Sequence, residues 1–172
     1  MPLTTLLVLG GARSGKSRYA EGRIVAEGGA RTYIATAQAF DDEMRDRIVR
    51  HRDDRGPGWS TIETPIDLPD AIGRAAPDAA VLVDCLTLWV SNLLLADIDI
   101  DRETARLVAA IAARTGPIAL VSNEVGLGIV PDNALARRFR DVAGRLNQVV
   151  AGRCDEVVFV AAGLPLVLKP AR

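Results

Sequence analysis

The sequence predicts an α/β fold in which helices cover both faces of a mainly parallel β-sheet. Short apolar runs alternate with segments of helical length, the pattern of consecutive strand–helix–strand units. The composition is 49% hydrophobic but only 4% aromatic, so we expect a core of small aliphatic side chains, which suits helices packed on a parallel sheet. The 172 residues suffice for one domain, 1–172, and no repeat or linker divides them.

The charge balance gives no electrostatic case for nucleic acid or a membrane surface as a partner. There are 21 basic and 22 acidic residues, for a formal charge of −1. No apolar segment approaches the length of a membrane span, and the first residues lack the basic region of a signal peptide. Cys85 and Cys154 have no metal-ligand spacing, so we expect two core thiols in a reducing compartment. These features predict a cytoplasmic protein.

A phosphate-binding loop joins the first strand to the first helix. Residues 6–17 read LLVLGGARSGKS, an apolar run followed by the spacing G-x-x-x-x-G-K-[ST]. Such a loop wraps a phosphate with consecutive backbone N–H groups at the positive end of a helix, and glycines permit the close approach. Lys16 is expected to reach the outer phosphates and Ser17 to hold Mg²⁺. A glycine-rich turn with a coincidental Lys-Ser pair is the alternative. The predicted nucleoside triphosphate site comprises Gly10, Gly11, Ala12, Arg13, Ser14, Gly15, Lys16 and Ser17.

The second strand ends where open α/β sheets bind ligands. Residues 31–36 are short and rich in β-formers, and they close the first strand–helix–strand unit. Thr36 then lies at the carboxyl end of this strand, at the ligand-binding edge of the sheet. An ordinary strand end is an equally good interpretation of the same residue.

A charged segment over residues 41–52 predicts a helix that carries the single histidine of the chain. It begins with acidic and ends with basic residues, as the helix dipole favours. Arg47, His51 and Arg55 follow at four-residue steps and would share one helix face. Like-charge repulsion from the arginines would keep the imidazole neutral and nucleophilic, and the guanidinium groups could bind triphosphate oxygens. A solvated charged helix with an incidental surface histidine is the alternative, which composition alone favours.

Acidic residues also occur near the ends of the next strands. A short edge strand is predicted to carry Glu63, which is either a surface acid, as the sequence favours, or a nucleotide contact. A helix capped by Asp67 follows. A buried apolar strand then ends at Asp84, the arrangement that places a second acid near Mg²⁺ in phosphate-loop proteins. The same carboxylate is a candidate N-cap for the apolar helix 86–95, whose Trp89 is expected in the core or at a subunit interface.

The last third of the chain contains a loop of unusual composition. A fourth strand ends at residues 123–124 on the ligand-binding edge, and residues 125–133 then combine two glycines, a proline and apolar side chains, as defined functional loops do. A helix is expected to begin at Asp132 or Asn133. Two strands joined by a tight turn at Gly163 finish the chain as an antiparallel edge on the sheet.

Four blocks in this order resemble one known family over nearly the whole chain. They are GGARSGKSRYAE, YIATAQAFDDEMRDRIVRHR, VDCLTLWVSNLL and SNEVGLGIVPDNALARRFRDVAGRLNQ. They resemble the bifunctional adenosylcobinamide kinase/adenosylcobinamide-phosphate guanylyltransferase family of cobalamin biosynthesis. The resemblance implies phosphorylation of the aminopropanol hydroxyl of adenosylcobinamide by an NTP, then transfer of GMP from GTP onto that phosphate with release of pyrophosphate.

The resemblance also assigns roles to individual residues. It implies a RecA-like, three-layer phosphate-loop fold that uses GTP and ATP with Mg²⁺, and a covalent guanylyl intermediate on His51. It further implies a homotrimer with active sites between subunits, which would give the apolar helix 86–95 a burial partner. Besides the phosphate loop, the implied nucleotide contacts are Ala35, Thr36, Ala37, Arg52, Asp53, Asp54, Arg55, Glu63 and Asp84.

Two positions depart from the family pattern. Arg50 stands where a second histidine precedes the nucleophile, and Asp84 stands where the family has glutamate. The shorter aspartate favours a magnesium-side role over direct nucleotide contact. Two other functions remain open on the residues alone: a nucleotide-switched binding module, suggested by the apolar loop 125–133, and a kinase acting on another small alcohol.

Overall fold

The structure, a computed structural model, describes residues 4–38 and 56–171. Within these residues one sheet of seven strands is flanked by five helices. The strands are β1 (Thr5–Gly10), β2 (Arg31–Ala35), β3 (Trp59–Glu63), β4 (Ala80–Asp84), β5 (Ile118–Asn123), β6 (Glu156–Ala161) and β7 (Leu164–Lys169). The helices are α1 (Lys16–Ala26), α2 (Leu68–Arg74), α3 (Leu86–Leu95), α4 (Ile100–Ala113) and α5 (Ala134–Arg153).

The sheet has the strand order β3-β2-β4-β5-β1-β6-β7, and only β7 is antiparallel to its neighbour. This confirms the predicted parallel sheet with an antiparallel edge. The phosphate-loop strand β1 lies between β5 and β6, so β4 with its terminal Asp84 is one strand removed from it. The register pairs Gly10 with Asn123 and Asp84 with Val121, which brings the carboxyl ends of β1, β4 and β5 to one edge.

Both faces of the sheet are covered, which makes the three layers. Successive residues of β1 alternate between two cores: Leu7 and Leu9 pack with α2, α3, α4 and α5, while Leu6 and Val8 pack with α1. Because a strand buried on both faces has no polar side, β1 is a continuous apolar run. Hydrophobic alternation therefore could not indicate which face each helix covers.

Helix α3 is buried by its own chain. Leu86, Trp89, Val90 and Leu93 have no exposed surface, and the Trp89 Nε1 donates a hydrogen bond to the carbonyl of Ile66 at 2.7 Å. These side chains therefore do not depend on a neighbouring subunit for their burial, and the subunit contact of this helix stays a prediction. Its apolar composition is explained by the packing of α3 against the sheet and the neighbouring helices.

The structure corrects two capping predictions and decides a third. Cys85, not Asp84, occupies the N-cap position of α3. Asp67 occupies the N-cap of α2, but its carboxylate makes no capping hydrogen bond. Pro69 at the second helical position has no N–H to donate to it. Of the two candidate residues for the start of α5, Asn133 is the cap, since its Oδ1 accepts from the N–H of Ala136 at 2.8 Å.

No helix in the described ranges is long and apolar enough to cross a membrane. The predicted helix over residues 41–52 lies outside the described residues, as do His51 and the residues Arg52, Asp53, Asp54 and Arg55.

Candidate nucleotide site

The phosphate loop turns sharply from β1 into α1. Gly15 has φ of 93°, the left-handed conformation that favours glycine, and it occupies the N-cap position of α1. Within the loop the N–H of Ser14 donates to the carbonyl of Gly11 at 3.3 Å. A Cβ on Gly10 would lie 2.5 Å from the Ser14 Oγ and 2.5 Å from the carbonyl oxygen of Val160. The geometry of the loop therefore requires glycine at both of its ends, Gly10 and Gly15.

The N-terminus of α1 is open to an anion. The first turn of α1 contains no acidic residue, so no carboxylate within that turn opposes the positive end of the helix dipole. Lys16 is half-buried, and its Nζ donates to the carbonyl of Gly11 at 3.1 Å, which holds the ammonium over the loop. Ser17, the next residue, is also half-buried. The side chain of Ser14 is buried, and its Oγ has no hydrogen-bond partner among the described residues.

Asp84 is held at the end of β4 by its neighbours on β2. The hydroxyl of Tyr33 donates to Asp84 Oδ2 at 3.0 Å, and the Asp84 carbonyl accepts from the N–H of Thr36 at 3.2 Å. The carboxylate is partly exposed at the sheet edge, one strand from the phosphate loop. The hydrogen bond from Tyr33 therefore orients the carboxylate of Asp84.

The predicted nucleotide contacts at the end of β2, residues 35–37, differ in their exposure to solvent. Thr36 is fully buried; its hydroxyl donates to the carbonyl of Cys85 at 2.7 Å and accepts from the N–H of Cys85 at 2.9 Å. Its own carbonyl accepts from the Asn92 side chain at 2.8 Å. The polar groups of Thr36 are therefore used to join β2 to β4 and α3. Ala35 and Ala37 on either side are half-buried.

Glu63 lies farther along the same edge. It ends β3 in register with Ala35, which in turn is in register with Asp84. Its side chain is exposed. Residues 39–55, with His51, follow the end of β2 and precede the start of β3 in the sequence and lie outside the described residues.

The sequence did not predict a buried network of polar side chains that joins α3, β5 and α5. Thr87 on α3 accepts from the N–H of Asn123 at 2.7 Å, while Asn147 on α5 accepts from Ser122 at 2.7 Å and donates to the carbonyl of Asn123 at 3.1 Å. The Asn123 Oδ1 is buried without a hydrogen-bond partner among the described residues. The available signal was the presence of polar residues among the apolar positions of α3 and α5, a pattern that suggests a network but does not name its partners.

The cysteine nearest the site is chemically inert. Burial, aided by the adjacent Asp84, raises the pKa of Cys85 to about 11, and burial raises the pKa of Cys154 to about 12. Both thiols are therefore protonated at neutral pH and neither serves as a nucleophile. This confirms the expected core positions of both residues.

The comparisons with known proteins agree on one family. The family model described as "Cobinamide kinase / cobinamide phosphate guanyltransferase" matches residues 6–168. A "Bifunctional adenosylcobalamin biosynthesis protein CobP" of Pseudomonas aeruginosa is 52% identical over 167 residues, covering 95% of this chain and 96% of the relative. The CobU protein of the same description from Salmonella typhimurium is 44% identical over 180 residues, covering 95% and 99%.

Solved structures support the fold at low sequence identity. The flagellar accessory protein FlaH of Methanocaldococcus jannaschii is 13% identical, with a TM-score of 0.53, covering 98% of this chain and 79% of that one. An ATPase from a type III secretion system of pathogenic bacteria is 12% identical, with a TM-score of 0.58, covering 95% and 56%. This confirms the predicted α/β fold of the RecA-like phosphate-loop class.

Proposed function

Since the chain belongs to the cobinamide kinase / cobinamide phosphate guanyltransferase family and is thus a transferase, we propose that it catalyses both reactions on adenosylcobinamide. In the first, the aminopropanol hydroxyl attacks the γ-phosphorus of ATP or GTP, the nucleoside diphosphate departs, and the hydroxyl proton is released. In the second, GMP passes from GTP to the new phosphate, with pyrophosphate as the other product. The product, adenosylcobinamide-GDP, belongs to cobalamin biosynthesis.

The guanylyl transfer is proposed to proceed through His51. A nitrogen of the neutral imidazole attacks the α-phosphorus of GTP and breaks its bond to the departing pyrophosphate. A phosphate oxygen of adenosylcobinamide phosphate then attacks the same phosphorus, and the N–P bond breaks to restore the imidazole. The observation that carries this proposal is the family match over residues 6–168, which includes both the phosphate loop and this histidine.

The described residues support the binding half of the proposal. The amides of the loop residues 10–17 and the open N-terminus of α1 form a cradle for the triphosphate, and Lys16 is the candidate to contact its outer phosphates. Further candidate contacts at the same edge are Ala35, Thr36, Ala37, Glu63 and Asp84, with Arg52, Asp53, Asp54 and Arg55 outside the described residues.

A magnesium ion fits the donor set at this edge. Ser17 supplies a hydroxyl and Asp84 a carboxylate, both hard oxygen ligands, and Mg²⁺ commonly combines one or two protein ligands with substrate phosphates and water. No cluster of three or more acidic, histidine or cysteine ligands occurs in the described part of the chain, which agrees with a site completed by the nucleotide. When bound, the ion would neutralise charge that develops on the departing pyrophosphate.

The loop 125–133 is the candidate surface for the corrinoid. It follows β5 at the edge that carries the phosphate loop, and the N–H of Glu124 donates to the carbonyl of Gly10 at 3.0 Å. Leu127, Ile129 and Val130 are 82%, 98% and 62% exposed. A large ring with apolar faces would bury such side chains beside the bound nucleotide. We further propose a cytoplasmic homotrimer as the working form.

A labelling experiment tests the histidine intermediate. Incubation of the protein with α-³²P-GTP and Mg²⁺, without corrinoid, is expected to leave an acid-labile, base-stable label, as a phosphoramidate requires. The label should be absent from His51→Ala and should transfer to adenosylcobinamide phosphate when that acceptor is added to the wild-type protein. Intact-mass measurement of the same sample should show one added GMP.

The control is the kinase reaction of the same variant. His51→Ala should still phosphorylate adenosylcobinamide with ATP, since that step does not use the imidazole. Equal labelling of wild-type protein and His51→Ala would reject His51 as the nucleophile, and failure of the wild-type protein to phosphorylate adenosylcobinamide would reject the substrate.

A further inference from the structure

We propose that the turn between β6 and β7 is a positioning element of the phosphate loop, because the N–H of Gly163 binds the carbonyl of Ser14 and thereby orients the neighbouring loop amide. The hydrogen bond measures 2.8 Å. Gly163 is a positioning residue in this proposal and does not itself touch the nucleotide. The proposal rests on the proposed function only in that the loop binds a nucleotide.

The turn is built to present this N–H. Ala162 and Gly163 have φ of 51° and 77°, and the pair Ala161 and Leu164 closes the hairpin on either side. Two central residues with positive φ characterise a type I′ turn, which follows the twist of the strands it joins. The sheet ladder does not use the N–H of the second central residue in such a turn. The N–H of Gly163 is therefore available to a segment outside the sheet, and it donates to the carbonyl of Ser14 in the phosphate loop.

The direction of the Gly15 amide follows from peptide geometry. The carbonyl of Ser14 and the N–H of Gly15 belong to one planar peptide group, in which they point in opposite directions when the bond is trans. A carbonyl held against the hairpin therefore turns the next N–H away from the hairpin. An anion-binding loop needs this arrangement, with its N–H groups inward and its carbonyls outward.

The hairpin also explains both glycines at the ends of the loop. A Cβ on Gly15 would lie 3.1 Å from the Cα of Gly163, and a Cβ on Gly10 would lie 2.5 Å from the carbonyl oxygen of Val160 on β6. The sequence motif attributes these glycines to the close approach of phosphate. In this chain the close approach of the hairpin also disfavours a side chain at both positions.

Substitutions at Gly163 test the proposal by grading the strain in the turn. Asparagine tolerates the left-handed conformation, alanine less so, and a β-branched side chain hardly at all. A Cβ on Gly163 meets nothing within 4 Å, so the added Cβ makes no clash and the graded effect is expected to come from backbone conformation. We expect the Kd for GDP to rise in the order Gly163→Asn, Gly163→Ala, Gly163→Val, by about tenfold for valine, the size expected for one lost hydrogen bond to a charged ligand. GDP is the probe because it occupies the loop but cannot release pyrophosphate.

Gly28 provides the matched control. It has φ of 71° and open space around its Cβ position, and it lies beyond the C-terminus of α1, away from the loop. Gly28→Val should lower the thermal midpoint as Gly163→Val does, yet bind GDP with the wild-type Kd to within about twofold. Equal Kd values for the two valine variants would overturn the positioning role. If Gly163→Val does not fold, the alanine and asparagine variants decide the order. A wild-type protein that binds no GDP would instead reject the nucleotide site itself.

Discussion

At the scale of single residues, Arg23 and Glu156 hold the helix of the nucleotide site against the sheet. Arg23, near the end of α1, donates through both terminal nitrogens to Glu156 at the start of β6, at 2.8 and 2.7 Å. Glu156 is only 8% exposed, so these bidentate hydrogen bonds offset the loss of its hydration. Its hydrogen bonds with the guanidinium lower the pKa of Glu156 below the ordinary value of 4.5. The pair therefore stabilises the fold in the ionised form of the glutamate.

Removing this charge should reduce stability in a pH-dependent way. Glu156→Gln is expected to lower the free energy of unfolding by about 2 kcal/mol at neutral pH, because a charged hydrogen-bonded pair is lost. Since the folded pKa lies below the unfolded one, the contribution is complete above the unfolded value near 4.5 and is lost as the pH falls through the folded value. Urea unfolding at neutral pH and at acidic pH should show the difference from wild type shrinking with acid.

The control for this prediction is a surface pair. Arg140 and Asp141 also form a salt bridge, at 3.0 Å, but the Asp141 side chain is 59% exposed. Asp141→Asn should change stability by less than about 0.5 kcal/mol. A similar loss in both variants would show that the Arg23 pair has no special role.

At the scale of elements, the loop 125–133 is anchored at both ends while its middle is open. Glu124 is tied to the phosphate loop through Gly10, and Asn133 caps α5. Between these anchors Ile129 is 98% exposed. Fixed ends and exposed apolar side chains are typical of a binding loop on a rigid scaffold. This arrangement is what makes the loop the candidate surface for the corrinoid.

Ile129→Ser tests the loop as the corrinoid surface. If the ring buries this side chain, the KM for adenosylcobinamide should rise about tenfold, since burial of an isoleucine contributes roughly 1.5–3 kcal/mol. The KM for ATP should stay at the wild-type value, because the nucleotide contacts are elsewhere. Steady-state kinase assays with each substrate varied in turn measure both constants.

Leu95→Ser is the matched variant. Leu95 is 68% exposed at the C-terminal end of α3, opposite the nucleotide edge, so its loss should leave both constants unchanged. An unaltered KM for adenosylcobinamide in Ile129→Ser would remove the loop from the corrinoid site.

At the scale of the whole molecule, the outer edge of the sheet exposes a row of large apolar side chains. Four residues of β7, Leu164, Leu166, Val167 and Leu168, are 73%, 61%, 51% and 55% exposed. Because neighbouring strand residues point to opposite faces, both faces of this strand are apolar. An edge strand of this kind favours pairing with another chain. This surface is a candidate interface for the proposed homotrimer, whereas most apolar side chains of α3, which the sequence suggested for that purpose, are already buried within the chain.

The oligomer can be measured directly. Sedimentation equilibrium of the wild-type protein should give a mass three times the 18.3 kDa of one chain. Leu166→Lys should lower that mass if β7 lies in the interface, because a lysine there would be buried without a partner. Leu95→Lys, which adds the same charge to another exposed leucine, should not. A wild-type mass of one or two chains would refute the trimer, and an intact Leu166→Lys trimer would place the interface elsewhere.

The local features of the site were predictable from the chain because each depends on neighbouring residues. The phosphate loop needs only a strand, a defined glycine spacing and a helix, all within residues 6–26, and the structure has them there. The parallel sheet places strand carboxyl ends on one edge, so Asp84, predicted at the end of a buried strand, lies on the edge that carries the loop. Glu63, for which the residues alone favoured a surface position, is exposed at the end of β3. The tight turn at Gly163 was also predicted, from its residue type. The roles of the predicted contact residues stay predictions.

The sequence by itself therefore determined the fold class, the phosphate loop and the family. Only the tertiary structure decided that β5 separates β1 from β4, that the polar groups of Thr36 serve the core, and that the Gly163 turn supports the phosphate loop. The physical reason is range: a motif is encoded by residues close along the chain, whereas these contacts join segments far apart in sequence. Their geometry is set by how the strands and helices pack.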